Sequence, residues 1–474
     1  MTPDNITRRQ MLMASALAVT ELYRASQPGL GATPPLPERP NIVFIAIEDF
    51  SPQRLGCYGG PVSSPNIDRL ASEGLLFENA YCMSPVCNAS RTSLLTGLRP
   101  DTTKVFSNSQ DWRKILRGVT TMPMYFRKHG YETIRIGKMF HGKWEHSNSW
   151  TQVIPELYDR QAAQAMRKAI GPAKPGKPGA KDNLRWGPTG NTPESDRDGQ
   201  IAEQAARFLR REHDSPFFLG IGFHSPHLAF RAPDRFHSMY PPEKIRLPKT
   251  PENDLADTPI GGPHADHLRL TTDERRQVIS SHYATISYAD WCVGRVLDTI
   301  KRTGRENNTI VVLWSDHGFM LGEHFLYRKV NLYEESARVV FIWKVPGLTL
   351  KGLRCRRPAE TIDVFPTLFD LCNIPQPDRI EGLSMRALLE RPSRPWKKGA
   401  ITWKAGKGEL VAIQTERYRL NKRLSDGFLE LYDHRVDPGE FTNVAKEPAY
   451  RDAALELTKL LDGGWQACLP PGYR

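Results

Sequence analysis

The chemistry-bearing residues of this chain fall in a few short clusters. Cys87-Asn88-Ala89-Ser90-Arg91 places a thiol and a guanidinium ahead of a short helical-looking run that stops at Gly97, with Pro100 just beyond. A cysteine entering a helix N-terminus lies beside unpaired backbone N–H groups and the positive end of the helix dipole, which favour an anion there. Arg91, one turn on, can point back at the same spot. Read alone, the stretch is most simply a small buried thiol followed by a capped helix. The other clusters must decide.

Those clusters are Glu48-Asp49, Lys138 and His141 in GKMFH, His224 and His227 in HSPH, Asp316-His317, and Lys329. Singly, each has a plain reading: a satisfied core histidine, a surface lysine, an acid in a solvated turn. Together, Glu48, Asp49 and Asp316 make an oxygen-rich cation site ringed by Arg91, two lysines and several histidines. Carboxylate oxygens suit Ca²⁺ or Mg²⁺ better than zinc, although His317 blurs that distinction. A cation, lysines and a guanidinium around a nucleophile are what displacement at an anionic ester of sulfur or phosphorus requires, because charge on the equatorial oxygens must be stabilised.

Convergence of these groups depends on the elements that carry them. NIVFIAI (Asn41 to Ile47) is a continuous apolar run, the pattern of a parallel strand buried on both faces, and it ends directly in Glu48-Asp49. YETIRI (Tyr131 to Ile136), FFLGIGF (Phe217 to Phe223) and TIVVLW (Thr309 to Trp314) read as strands that deliver Lys138 and His141, His227, and Asp316 and His317. In a parallel sheet, strand C-termini share one edge, where open α/β folds bind ligands. Helices are expected over Ser64 to Leu76, Met122 to His129, Gly199 to Arg211, Glu274 to Lys301 and Thr361 to Leu371, with a short one at Gly382 to Leu389 and a strand at Val339 to Trp343. Gly171 to Asn191 and Pro233 to His267, rich in Gly or Pro, read as irregular surface structure. From about Arg391 the pattern shifts to short half-buried strands and a final helix, Ala449 to Leu461, suiting a small antiparallel sheet.

With 474 residues, 39% of them apolar and 25% charged, the chain is an ordinary globular sequence with room for two domains, not a disordered or fibrous one. The formal charge of +12 attracts anionic partners. No long basic block or nucleic-acid module accompanies it, so no nucleic-acid partner is expected. Seven cysteines without a Cys-x-x-Cys pair exclude a zinc ribbon or a dense disulfide scaffold. No GxSxG elbow, Walker loop, dinucleotide glycine pattern, HExxH or internal repeat is present. Thr7-Arg8-Arg9-Gln10 followed by MLMASALAV resembles a twin-arginine export signal, placed at residues 1–32, with an amphipathic first helix as the alternative. No later stretch is long and apolar enough to span a bilayer, and a soluble, exported protein, periplasmic or extracellular, is expected. The expected division is an α/β catalytic domain over 38–390 and an α+β subdomain over 391–474.

From about Arg39 to the tail, RPNIVFIAIEDF, SPNIDRLASEG, CNASRTSLLTG, GKMFHGK, GFHSPH, SDHGFMLGEH, LYRKVNLYEES, DVFPTLFDL and ELYDHRVDPGEFTNVA occur in order. That series resembles the type I sulfatases of the alkaline phosphatase superfamily, and within them the iduronate-2-sulfatase branch. The resemblance implies an α/β fold: a large mixed, mostly parallel sheet sandwiched by helices, with a smaller C-terminal antiparallel sheet plus helix. It implies oxidation of Cys87 to formylglycine by a formylglycine-generating or anaerobic sulfatase-maturing enzyme, the hydrate serving as nucleophile. Family roles carry over to Glu48, Asp49, Asp316, His317 and the modified Cys87 as ligands of Ca²⁺, with Mg²⁺ the alternative ion. Arg91 and Lys138 would hold and polarise the hydrate, His141 would assist sulfate expulsion, and His227 and Lys329 would grip the sulfate and help protonate the leaving oxygen. The implied substrate is a sulfated saccharide such as a 2-sulfated uronic acid in a glycan. Two residues depart from the family pattern: Glu48 stands where Asp is usual, and Ala89 where the modification signal usually has Pro. Rival readings are a phosphodiester or phosphonate monoester hydrolase of the same superfamily, and a catalytically inactive glycan-binding relative.

Overall fold

A computed structural model describes residues 36–157, 184–258, 265–404, 409–470 and 472–473, all within the compact unit Leu36–Arg474. The export-signal segment and most of the Gly171 to Asn191 stretch lie outside the described residues. The main sheet comprises β1 (Asn41–Ile47), β2 (Leu75–Phe77), β3 (Glu132–Gly137), β4 (Gln152–Ile154), β5 (Phe217–Phe223), β6 (Thr309–Ser315), β7 (Phe341–Lys344) and β8 (Leu353–Cys355). Its spatial order is β8-β2-β7-β6-β1-β5-β3-β4. Pairing is parallel from β6 through β4 and between β2 and β8, and β7 runs antiparallel to both its neighbours. The expected mixed, mostly parallel sheet is present.

β1 shows why these runs become strands. All seven of its residues are buried, and alternate side chains enter opposite cores. Val43, Ile45 and Ile47 join α1 (Pro65–Glu73), α4 (Arg197–Leu209) and α5 (Thr272–Arg302) on one face. Ile42, Phe44 and Ala46 join α2 (Cys87–Thr96), α3 (Met122–Lys128) and α6 (Val364–Leu371) on the other. The 31-residue α5 starts at a capping box, with the Glu274 N–H donating to Thr271 Oγ1 at 3.2 Å and the Thr271 N–H to Glu274 Oε2 at 2.8 Å.

The helix expected over Ser64 to Leu76 stops at Glu73, and Leu75–Phe77 is β2. A Cβ at Gly74 would lie 2.3 Å from the Trp343 carbonyl oxygen, so only glycine brings the chain close enough to pair with β7. Within Pro233 to His267 the described chain is largely irregular, apart from short helical turns at Asp234–His237, at Pro242–Lys244 and from Ala265 onward. Trp186–Pro188 pairs in parallel with Phe230–Ala232. Among the described residues no helix is long and apolar enough to cross a membrane.

The C-terminal part forms an antiparallel sheet, β9 (Ala400–Lys404), β10 (Leu410–Gln414), β11 (Tyr418–Arg423) and β12 (Leu429–Asp433), packed on α7 (Arg451–Asp462) through Leu420, Leu431, Leu457 and Leu461. β9 leans on the strand-like entry to α2: the Trp403 N–H donates to the Met83 carbonyl at 2.9 Å and Thr402 Oγ1 to the Cys82 carbonyl at 2.8 Å.

Candidate active site

Register brings the predicted residues to one edge. Ile47 is level with Phe223 on β5 and with Ser315 on β6, and Gly137 on β3 is level with Gly222. The residues that follow, Glu48-Asp49, His224, Asp316-His317 and Lys138, therefore emerge side by side. Two glycines make the crowding possible. A Cβ on Gly222 would meet the Lys138 carbonyl oxygen at 1.7 Å, and Gly137 has φ of +72° with its would-be Cβ 2.1 Å from the Gly222 carbonyl oxygen. Asp49 itself sits in the left-handed region at φ 51°, a conformation that a short polar side chain tolerates better than most and that is concentrated at functional sites.

Cys87 is the first residue of α2 and is fully buried. Its Sγ lies 3.1 Å from His317 Nε2 and accepts from Lys329 Nζ at 3.2 Å. Lys329 Nζ also donates to Asp49 Oδ1 at 2.5 Å. His317 Nδ1 is 2.9 Å from the Gly318 carbonyl, which fixes the proton on Nδ1 and leaves the Nε2 lone pair toward Cys87. His227 repeats the device: Nδ1 faces the Leu228 carbonyl at 2.6 Å, and Nε2 is 3.9 Å from Asp49 Oδ2.

Arg91 does not fold back onto the thiol as its spacing suggested. It brackets two strand ends, with Nε donating to Asp316 Oδ2 at 2.8 Å and Nη1 to the Lys138 and Met139 carbonyls at 3.0 Å each, while Nη2 is buried without a partner. The remaining oxygen of Asp316, Oδ1, accepts the N–H groups of Asp49 and His317 at 3.1 Å each. Lys138 pairs with Glu48, whose other oxygen is 3.6 Å from His224 Nδ1. His141 belongs to the same charge cluster, with Nδ1 buried and unpartnered.

The electrostatics follow from burial against neighbouring charge. Burial would raise the Asp49 carboxyl, but Lys329, His227 and His317 hold it below the usual range. Burial pulls Lys138 down to about 7, His141 to about 3 and His227 to about 4. Burial lowers Lys329 too, but Asp49 and Cys87 outweigh it and raise the ammonium above its ordinary value. Cys87 departs from the helix-dipole expectation: burial, with Asp316 and Asp49 adding to it, pushes the thiol up to about 12 against Lys329 and Arg91. As encoded it is a protonated thiol and a poor nucleophile.

A divalent cation fits the donors at the centre. Asp49 Oδ2 is buried with no hydrogen-bond partner. Ligand atoms of Asp49, Cys87 and His317 lie within 4.8 Å of one another, as do those of Glu48, Cys87 and His227. An orphaned carboxylate oxygen beside a neutral imidazole lone pair suits a divalent cation, with Glu48 and Asp316 as further oxygens now engaged by Lys138 and Arg91.

Some supporting residues escaped the sequence reading. Ser90 Oγ donates to the Asp316 carbonyl at 2.6 Å and pins α2 to the end of β6. Glu145 accepts the Met139 and Phe140 N–H groups at 2.9 Å each and shapes the turn to His141. Asp198, on α4, accepts the His224 and Ser225 N–H groups at 2.9 and 2.7 Å. Glu156 receives His224 Nε2 at 3.1 Å. Only Ser90 carried a signal, by its place beside Arg91. Asp198 and Glu156 act across 26 to 68 residues, and Glu145 caps a turn five and six residues before it that no local pattern exposes.

The protein-family model described as "Sulfatase" matches residues 40–374, and one described as "N-sulphoglucosamine sulphohydrolase, C-terminal" matches residues 322–464. A "Sulfatase" of Formosa agariphila is 30% identical over 454 residues, covering 90% of this chain and 86% of that protein. Human "Iduronate 2-sulfatase" is 32% identical over 408 residues, covering 75% and 72%. Among solved structures, the phosphonate monoester hydrolase of Agrobacterium radiobacter superposes with a TM-score of 0.76 at 21% identity, over 90% of this chain and 96% of that one. That likeness establishes the alkaline phosphatase-like fold and leaves sulfur against phosphorus to the sequence. A family match across most of the chain and relatives at this identity decide it: the chain belongs to the sulfatase family, the sulfuric ester hydrolases.

Proposed function

We propose that this sulfatase removes sulfate from a sulfated saccharide, a 2-sulfated uronic acid within a glycan, using formylglycine made from Cys87 and a bound Ca²⁺. The observation that carries the reading is the meeting of Cys87, Lys329, His317 and Asp49 within hydrogen-bonding reach at the common edge of four parallel strands. The inert, buried thiol supports a modified residue as the nucleophile. Similarity to an iduronate 2-sulfatase supports the sugar class. In this reading the catalytic part spans 38–390, residues 391–474 support it, and Arg8-Arg9 with the apolar run after them direct export.

In this reading each residue takes a role that its geometry supports. Formylglycine, installed at Cys87 by a maturation enzyme, would supply as its hydrate a nucleophilic hydroxyl and a second hydroxyl for sulfate release. Ca²⁺ would be held by Asp49, His317, Glu48 and Asp316, and would supply positive charge against the sulfate oxygens. Lys329, charged and fixed on Asp49, faces the same oxygens, and Lys138 flanks them from the β3 side. Arg91 fixes the ends of β3 and β6 relative to each other. His227, with Nδ1 turned to a carbonyl, presents Nε2 toward the leaving oxygen, to which it would donate once protonated beside the anionic ester. His141, buried beside Lys138 and Arg91, stays neutral and is free to accept a proton as sulfate departs.

Hydrolysis of 4-nitrophenyl sulfate and 4-nitrophenyl phosphate, compared in CaCl₂, tests the reading. A preference for sulfate of about tenfold or more is expected, equivalent to about 1.4 kcal/mol at the transition state. A preference for phosphate contradicts it. Desulfation of defined 2-sulfated uronate oligosaccharides then tests the sugar class.

A further inference from the structure

Two segments beside Cys87 are laced together into one rim. Residues 104–117 are fastened to the start of α2: the Asn88 N–H donates to Asn108 Oδ1 at 3.0 Å, and Asn88 Nδ2 donates to the Ser107 and Gln110 carbonyls at 2.8 and 2.9 Å. Residues 141–146 begin with His141. Trp112 Nε1 donates to the Trp144 carbonyl at 2.9 Å, Trp144 Nε1 to the Asn108 carbonyl at 2.9 Å, and Arg113 Nη1 to the Glu145 carbonyl at 3.1 Å. The rim is thereby tied both to the residue after Cys87 and to the turn that carries His141.

Its charge is one-sided. Asp111 is taken by Arg113, and Glu145 by two backbone N–H groups and Arg135. Lys104, Lys114, Arg117 and Lys143 are exposed and enter no ion pair among the described residues. Several surface arginines elsewhere are paired with acids, Arg354 and Arg356 with Glu78, Arg386 with Asp370, and Arg423 with Asp426, whereas the rim gathers its four unpaired cations around one indole. Beside Lys143 lies the half-buried Trp144, its ring centroid 4.6 Å from Lys143 Nζ and 5.6 Å from Cζ of Arg113, the partner of Asp111. An indole flanked by cations offers a flat apolar surface for a sugar ring and charge for its acidic substituents.

We infer that this rim is a subsite for a second anionic sugar, so that the enzyme grips an extended sulfated saccharide beyond the sugar it desulfates. The inference rests on the reading of the centre as one that acts on sulfated saccharides. A single sulfated sugar in the pocket would leave these cations unused. A longer chain would engage them, through contacts that salt weakens.

Calorimetric binding of heparin oligosaccharides, from disaccharide to hexasaccharide, tests it on the full chain. The variants are the double Lys114→Glu/Lys143→Glu and, as a control, Lys351→Glu. Lys351 lies in the turn after β7, which runs antiparallel to β6 and so ends at the opposite edge of the sheet. In the wild type and the control, affinity is expected to rise about tenfold or more with length. The double variant loses that gain while its kcat/KM on 4-nitrophenyl sulfate stays within about twofold of wild type. No gain with length in the wild type, a gain kept by the double variant, or an equal loss in Lys351→Glu overturns the inference. So does an oligonucleotide of equal charge that shows the same rim-dependent gain, which would make this a nucleic-acid surface. Failure of the wild type to hydrolyse 4-nitrophenyl sulfate counts against the proposed reaction, and the binding series still judges the rim.

Discussion

Asp49 concentrates the chemistry of the site in one side chain. One oxygen holds Lys329, its backbone N–H leans on Asp316, and the second oxygen is buried without a donor. A cation at that oxygen stabilises the native state by RT ln(1 + [L]/Kd), about 2.7 kcal/mol at a hundredfold excess over Kd. Calcium titrated into a thermal-unfolding assay is therefore expected to raise the wild-type midpoint and leave Asp49→Asn unmoved; an unmoved wild type contradicts the cation site. The residue types here were legible in the sequence because Glu48, Asp49, Asp316 and His317 each follow an apolar run. Their partners were not. That Arg91 would bracket β3 and β6, and that burial would outweigh the helix dipole at Cys87, depends on packing between segments more than forty residues apart. In the proposed reading Ala89 bears on maturation more than on the folded site: it lies in the first turn of α2, where the first helical bond is made by the Ser90 N–H and proline would cost none.

At the scale of elements, the site is a consequence of four neighbouring parallel strands ending level. The long apolar runs of β1, β5 and β6 identified themselves, since strands buried on both faces need no alternation. The three-residue β2 did not, because its Leu-Leu-Phe continues the apolar spacing of α1 and only the close approach at Gly74 separates the two. Gly222 sets how near β5 comes to the chain that carries Lys138. Gly222→Ala is expected to cost about 1–3 kcal/mol by overpacking, measured by urea unfolding, and to lower activity more than stability alone requires by displacing Lys138. A fully stable and active variant would show that this contact does not position Lys138.

At the scale of the whole molecule, the C-terminal sheet braces both approaches to the centre. β9 bonds to Cys82 and Met83 ahead of Cys87, and Arg419 on β11 donates to the Leu332 carbonyl at 2.5 Å and pairs with Glu334, both just beyond Lys329, and with Glu440. The short strands and closing helix of this region were legible in the sequence; the buried ion network was not, since its members are more than eighty residues apart along the chain from β11 to Glu334. Burial would raise the Glu440 carboxyl, but Arg419 and His434 hold it at about 2. With an unfolded carboxyl near 4.3, its stabilisation is complete above that pH and lost as pH falls toward about 2. Wild-type stability is expected to fall through this window. Glu440→Gln should start about 3–5 kcal/mol lower at neutral pH and fall less, the two curves converging in acid, whereas parallel curves would contradict the assignment. The central claim, that Cys87 is the precursor of the nucleophile in a sulfatase, is tested most directly by one correlation. Mass spectrometry of the Cys87 peptide gives the fraction converted to aldehyde in preparations matured to different extents, and the 4-nitrophenyl sulfate rate is measured on each. The account predicts a rate proportional to that fraction and zero at zero conversion; full activity in protein whose Cys87 is entirely thiol would contradict it.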